Sequence, residues 1–378
     1  MRFERSLRIL QRFDWGVLLS VFALFSFGLA AITSVELSRG TGEFSFLQKQ
    51  FIAFGIGATV AIICATLHVS FFRAYARLAY VSGVLLLIGV LFFGRELNGA
   101  TGWFVFGNFA FQPVEYAKVV VILELARYFA QDARRSFGWR ELFSSFLRVA
   151  IPASLLFLQP DMGGAAILFA TWASIVLFAG IRVRHVAVLA AFGGVSAIIG
   201  WFLLFANYQR ERILTFLQPL SDPQGTGYNV LQAQIAIGAG GWGGRGLGAG
   251  SQSQLRFLPE SQTDFIFAVI AEELGFIGVS LVVLAYTILL WRTFSIASRS
   301  VDHFSTYLAV GIFSLFLVEA IVHMGANLAL LPATGIALPF VSYGGSSLIF
   351  SIILIGILQS AAVHLPTAGS GEQSTARI

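Results

Sequence analysis

The sequence predicts an all-α polytopic membrane protein of about ten transmembrane helices, with a long outer loop between helices 7 and 8 and a re-entrant segment before helix 10. Three observations predict it. Hydrophobic residues make up 57% of the 378 and charged residues only 11%, which lies outside the range of soluble domains. The apolar residues gather into runs close to the roughly 20 needed to cross a bilayer core about 30 Å thick. Arginine falls in alternate connections: Arg2, Arg5, Arg8, Arg12, Arg73, Arg77, Arg134, Arg135, Arg140, Arg182, Arg184, Arg292 and Arg299 share one side, whereas the short loops of the other hold only Arg39, Lys49 and Arg95. That bias follows the positive-inside rule and predicts a multi-pass protein with both termini in the cytoplasm.

The first span, 15–33, follows the basic stretch MRFERSLRILQRFDW. Its apolar run is longer than a signal-peptide core and no clear cleavage site follows, so it reads as a retained helix. Spans at 50–67 and 78–94 come next, with Arg73 and Arg77 between them. The fourth, 113–129, begins at Pro113, a residue suited to a first helical turn. Only QPD separates the short fifth span, 146–159, from the sixth, 162–180, which predicts a tight outer hairpin. The seventh covers 185–205, and after the long connection come 264–290, 305–326 and 345–363. Residues 331–343 are expected to enter the outer face as a non-helical or re-entrant stretch, tolerable only where protein or water satisfies its backbone. One domain thus fills 1–363, and the polar tail 364–378 is expected to be disordered.

The net charge of +5 invites a nucleic-acid reading, but its distribution over alternate loops matches membrane topology and not a basic binding face. Cys64 is the sole cysteine, which rules out an intrachain disulfide and a thiolate metal cluster. The five histidines lack zinc-ligand spacing. No internal repeat is visible, which weighs against the repeat-built transporters.

The outer loop, 206–263, is more than a tether. Residues 228–239 have helical spacing with Gln232 and Gln234 on a polar side, and glycines crowd 238–250. This pattern predicts a short surface helix, then a turn-rich loop whose bare backbone approaches a ligand or another segment closely. The interleaved Trp242, Leu247, Leu255 and Phe257 are expected to be buried.

Ionisable groups at the edges of membrane helices are costly and usually face a cavity or a partner. Glu115 and Lys118, three apart, share one face of the fourth helix, as a functional pair or a structural salt bridge. Asp161 in QPDMGG stands where a carboxylate caps a helix. Asp264 opens the eighth helix, with Glu260 one turn before it. Either residue of TD could cap that helix, and if Thr263 does so, the Asp264 carboxylate is left to face the cavity. Arg210 and Arg212 lie outside the seventh helix on the same side, as a phosphate or pyrophosphate clamp or a solvated surface pair. Glu124, Arg127, Glu272, Glu273 and Glu319 lie deeper and read as structural pairs. The set combines a candidate base, supporting carboxylates and cations for an anionic leaving group. From these residues alone, lipid-linked transfer, ion-coupled transport and an inert scaffold all stay open.

Four stretches carry a resemblance: NGATGWFVFGNFAFQPVEYAK, QPDMGG, DPQGTGYNVLQAQIAIGAGGWGGRGLGAGSQSQLRFLPESQTDFIFAVIAEELGFIG and LLPATGIALPFVSYGGSS. In this order they resemble the SEDS family of polytopic cell-wall proteins over nearly the whole chain, and GSQSQLRFLPE resembles its elongation branch, RodA, more than its division branch, FtsW. The resemblance implies a single SEDS membrane domain and a peptidoglycan glycosyltransferase that polymerises lipid II on the outer face of the membrane. It implies inversion at the sugar and undecaprenyl pyrophosphate as leaving group. Asp264 falls on the family's essential aspartate, and Glu115, Lys118 and Asp161 on its helix-four acid and lysine and its QPD acid. Trp103 and Gln112 would line the cavity with Glu260, and Arg210 and Arg212 would hold the pyrophosphate. The alternative activity is a flippase for the same lipid. Implied partners are a class B penicillin-binding protein, the lipid II substrate and other membrane proteins of the elongation complex, without nucleic acid. No cofactor is implied with certainty; a divalent cation beside the pyrophosphate is the one to test. Departures are Gln262 where the family often has histidine, Val114 for serine, Gly164 for threonine and Ala337 for proline.

Overall fold

The structure is a computed structural model that describes residues 12–38, 44–97, 100–107, 109–131, 138–181, 183–200, 226–255 and 257–363, with 202, 210, 214 and 216 between them. The expected tail, 364–378, and Arg212 lie outside the described residues. The described helices are α1 (Trp15–Leu37), α2 (Ser45–Thr66), α3 (Val69–Phe93), α4 (Pro113–Gln131), α5 (Trp139–Leu158), α6 (Met162–Phe178), α7 (Val183–Ile199), α8 (Thr226–Gly240), α9 (Ser251–Gln254), α10 (Ile266–Arg299), α11 (His303–Asn327) and α12 (Gly345–Val363). Seven of them, α1, α2, α3, α5, α10, α11 and α12, are long and apolar enough to cross a membrane. Helices α4, α6 and α7 fall on the fourth, sixth and seventh expected spans.

Several helices outrun their apolar stretches. Helix α3 starts at Val69 and takes in Arg73 and Arg77, α5 starts at Trp139, and α10 continues to Arg299. A hydropathy window ends where the hydrocarbon ends, but backbone hydrogen bonding carries on into the interface, where charged side chains are solvated. Starts are set by acids as well. Asp14 accepts from the Val17 amide at the head of α1, and Asp302 from the Ser305 amide at the head of α11. The Glu36 carboxylate, at the end of α1, accepts the Phe46 and Leu47 amides and so caps α2 from a neighbouring helix.

Helices α4, α11 and α12 form the centre and are buried over most of their faces. Small residues permit the close crossings: Gly57 faces Ile349 and Ile352, and a Cβ on Gly356 would run into the Ala61 carbonyl. Large apolar side chains such as Phe22, Phe92 and Phe93 project from the periphery, where a membrane chain meets lipid.

Between α3 and α4 the chain departs from an all-α description. Strands β1 (Arg95–Leu97), β2 (Ala100–Phe106) and β3 (Phe109–Phe111) form an antiparallel sheet in the order β1-β2-β3, with Phe104 opposite Phe111 and Phe106 opposite Phe109. Aromatic and β-branched residues around a turn that begins at Gly107, φ +58°, account for it.

Helix α10 is broken at Gly275, φ +64° and ψ −161°. An unbroken helix would pair the Phe276 and Ile277 amides with the Glu272 and Glu273 carbonyls. Here the glycine-rich loop takes all four groups: Arg245 and Gly246 donate to Glu272 and Glu273, at 3.0 and 2.9 Å, while Phe276 and Ile277 donate to Gly241 and Trp242, at 2.9 and 3.2 Å. The loop is therefore a backbone splint, as its bare glycines suggested. Helix α8 packs on α10, and its Ala233 and Ala236 are fully buried. The expected burial of Trp242, Leu247, Leu255 and Phe257 is not found; all four are exposed, because the loop docks mainly through its backbone, and Trp242 meets the likewise exposed Phe276 ring of α10. Gly244 has φ +76°, and a Cβ there would strike the Glu273 carbonyl. Gly244→Ala is therefore expected to cost at least the roughly 1–3 kcal/mol of a strained residue, read as a lower unfolding temperature. Gly243→Ala, which meets nothing within 4 Å, should be neutral.

Residues 331–343 are non-helical and end in a buried stretch, Leu338 to Ser342. Their polar groups are satisfied by protein: the Tyr286 hydroxyl donates to the Pro339 carbonyl, Gln50 Nε2 to the Ser342 carbonyl at 3.1 Å, and the Tyr343 amide to the Gln262 carbonyl at 2.9 Å.

Candidate active site

A cavity of about 1170 Å³ opens where α2, α4, α6, α10 and α12 begin, beneath the sheet. The opposite helix ends carry the ion pairs Asp14–Arg292 and Arg73–Asp302. Seven sequence-predicted residues line the cavity together: Trp103, Gln112, Glu115, Lys118, Asp161, Glu260 and Asp264. They come from the sheet, from the heads of α4 and α6, and from the turn before α10, so only the fold unites them.

Asp264 is half-buried at the cavity wall, opposite Gly335, where an added Cβ would lie 3.7 Å from Asp264 Oδ2. The expectation that Thr263 or Asp264 caps α10 needs correction. The N-cap is Phe265, which has no side-chain cap bond, and the Thr263 hydroxyl turns back to the Glu260 carbonyl and carboxylate, both at 3.2 Å. The Ala268 amide in the first turn of α10 is taken instead by Asn327 Oδ1 of α11, at 3.2 Å. Glu260 is exposed, holds φ +48°, and accepts from Gln262 Nε2 at 3.3 Å.

Asp161 does cap α6, accepting the Gly164 amide at 2.7 Å. Two of the sequence departures meet here. A Cβ on Gly164 would lie 2.9 Å from Val114 Cγ2 and 2.7 Å from Asp161 Oδ2, so the valine fills the space that a side chain at 164 would need.

Glu115 and Lys118 form a buried pair at 2.7 Å, and Glu319 of α11 joins the same ammonium at 2.6 Å. Two carboxylates thus share one cation. The other deep acids are structural. Glu124 bridges Arg127 and Arg148 at 2.7 and 3.1 Å. Glu272 accepts the Gln252 and Ser253 amides, and Glu273 the Ser34 hydroxyl, which holds α9 against α1 and α10.

Of the two arginines expected to hold the pyrophosphate, Arg212 lies outside the described residues and Arg210 is away from the cavity. Arg210 donates to the Phe202 carbonyl at 3.3 Å and is not among the lining residues. Besides the ion-paired Lys118, the cation that lines it is Lys49, exposed on α2. Below Lys49 the same face of α2 continues as Ile52, Ala53 and Ile56, at helical spacing, with both isoleucines exposed, so the cavity opens sideways along an apolar flank. Sequence reading counted Lys49 only as a loop charge; its place at the head of that stripe was the available signal. Ser346 was also missed. Its hydroxyl donates to the Ala110 carbonyl and accepts the Gln112 amide, tying the sheet to the head of α12. Among the described residues no group of three or more His, Cys, Asp or Glu side chains could hold a metal ion.

A family model described as a cell cycle protein, of the FtsW, RodA and SpoVE type, matches residues 15–366. The chain is 37% identical to the probable peptidoglycan glycosyltransferase FtsW of Thioalkalivibrio sulfidiphilus, over 99% of this chain and 95% of that protein. It is 33% identical to the peptidoglycan glycosyltransferase MrdB of Escherichia coli, over 93% and 94%. Among solved structures, one chain of a peptidoglycan synthase complex that coordinates polymerization and crosslinking superposes with TM-score 0.78 at 31% identity, over 93% and 97%. The rod shape determining protein RodA of Thermus thermophilus gives 0.68 at 28%, over 93% and 96%.

Proposed function

The chain belongs to the FtsW, RodA and SpoVE family and is a multi-pass membrane glycosyltransferase of peptidoglycan, and from that premise we propose that it polymerises lipid II with Asp264 as general base. The single observation that carries the assignment of the base is the position of Asp264 in a cavity that also holds an apolar side opening and a cation.

In this reading the Asp264 carboxylate takes the proton from the 4-hydroxyl of GlcNAc on one lipid-linked chain while that oxygen attacks C1 of MurNAc on the other. The bond from C1 to the pyrophosphate oxygen breaks, undecaprenyl pyrophosphate leaves with the electron pair, and C1 inverts. Lys49 takes the place expected of Arg210 as a cation facing the pyrophosphate, and Ile52 and Ile56 lie where a polyprenyl chain would leave for the bilayer. Trp103, Gln112, Glu260, Asp161 and the Glu115–Lys118–Glu319 cluster shape the site. A bound divalent cation would have to be held mainly by the substrate, since the protein supplies no cage among the described residues.

The same proposal places both termini in the cytoplasm, ten helices across the inner membrane and 331–343 as a re-entrant wall. The ion pairs at the end away from the cavity support that orientation. It assigns the chain to cell elongation beside a class B penicillin-binding protein. The stretch GSQSQLRFLPE supports the first and the likeness to a synthase complex the second. A flippase would need polar groups along a path through the bilayer, whereas Glu124 and Glu319 are tied into salt bridges. The deciding experiment reconstitutes the full chain and its partner in liposomes with lipid II. Glycan strands and released undecaprenyl pyrophosphate are expected; movement of lipid II across the bilayer without polymer would overturn the proposal. Within that assay Lys49→Ala should raise KM for lipid II about tenfold, the loss of roughly one charge-assisted hydrogen bond, while Arg210→Ala should not.

A further inference from the structure

Helix α11 carries Glu319, His323 and Asn327 at spacings of four, which places them on one stripe. All three are buried, and each bonds to a different part of the cavity wall. Glu319 takes the Lys118 ammonium. His323 Nδ1 lies 2.8 Å from the Ile336 carbonyl, and because a carbonyl only accepts, Nδ1 carries the proton. Asn327 uses both ends of its amide. Nδ2 donates to the carbonyls of Asp264 and His323, each at 2.9 Å, and Oδ1 accepts the Ala268 amide.

The consequence is geometric. Asp264 sits between two main-chain segments, its own turn into α10 and the stretch through Gly335 and Ile336 that faces its carboxylate. Neither segment at that point is regular secondary structure with a ladder of its own to hold it. Asn327 grips the first at two points, the carbonyl of the aspartate itself and the amide four residues on, while His323 grips the second one residue past Gly335. Both anchors stand one turn apart on the same buried helix.

We propose that Asn327 and His323 are positioning residues for the Asp264 carboxylate, fixing the two strands of main chain between which it meets the acceptor hydroxyl. This rests on Asp264 being the base. Misplacement of a reacting group by about 1 Å can cost roughly 10²-fold in rate, so the loosened site should bind lipid II but turn it over poorly.

The test measures kcat and KM for lipid II with the reconstituted full chain and its partner. Asn327→Ala is expected to lower kcat by about 10- to 100-fold with KM within about threefold. His323→Phe removes the bond to Ile336 and also a buried Nε2 that has no partner, so the fold should tolerate it while kcat falls. Should Asn327→Ala fail to fold, His323→Phe decides by itself. Wild-type kcat in His323→Phe, or a loss that lies in KM or in unfolding temperature alone, overturns the inference. An Asp264→Asn control separates the two claims. If it polymerises normally, the assigned base is wrong; if it is inactive while the α11 variants match wild type, only the positioning role is.

Discussion

Asp264→Asn is expected to abolish glycan polymerisation, with a fall of roughly 10²–10⁴-fold, the range for losing a positioned general base, and with little change in unfolding temperature. The second half follows from the structure as much as the first. A carboxylate that caps its own helix contributes to stability, and its loss would cost about 1 kcal/mol. In this chain Phe265 is the N-cap of α10, the first-turn amide of Ala268 is already held by Asn327, and Asn327 also holds the Asp264 main-chain carbonyl, which the substitution leaves in place. Asparagine also matches aspartate in shape and keeps an acceptor oxygen at the same reach, so catalysis and stability should part company at this position. Measured strand synthesis from lipid II beside a thermal unfolding curve of the same sample gives the answer. A variant that is folded and fully active would remove Asp264 from the mechanism.

Lys118→Met should behave in the opposite way, failing chiefly through the fold. Its ammonium is shared by Glu115 and Glu319, all three are buried, and the side chains come from two helices at the centre of the molecule. Removing the cation leaves two carboxylates facing each other without compensation. Breaking a buried pair by deleting one partner costs about 3–5 kcal/mol, a large part of the roughly 5–15 kcal/mol that holds a typical domain folded. Glu319→Gln is the informative control. It leaves one acid to one base, and the glutamine oxygen can still accept from Nζ, so about 1 kcal/mol should be lost. If Lys118→Met unfolds at the wild-type temperature, the cluster does not depend on its ammonium.

The apolar spans were legible because each must supply its own hydrogen bonds across lipid, which forces long runs that no other feature mimics. Most of the site was legible for a related reason: Glu115, Lys118, Asp161 and Asp264 stand at helix heads, where an acid or amine beside an apolar run is conspicuous. The three-stranded sheet could have been read from the aromatic alternation about Gly107, but the expectation of an all-α chain hid it. Lys49 was missed and Arg210 misplaced because charge counts assign a residue to a side of the membrane and not to a wall of a cavity. The cap on α10 comes from Asn327, 59 residues from the amide it serves, a separation that no local pattern reveals. Trp242 and its neighbours were assigned to the interior by a rule for water-soluble surfaces, whereas a membrane chain can leave such side chains outward.

The contact between Val114 and Gly164 carries a restriction on how this chain can be recombined with its relatives. The two residues lie on separate helices but divide one small volume. A graft of α6 bearing threonine would collide with the valine, and a graft of α4 bearing serine would leave a hole beside the glycine, so the two helices must be transplanted as a set.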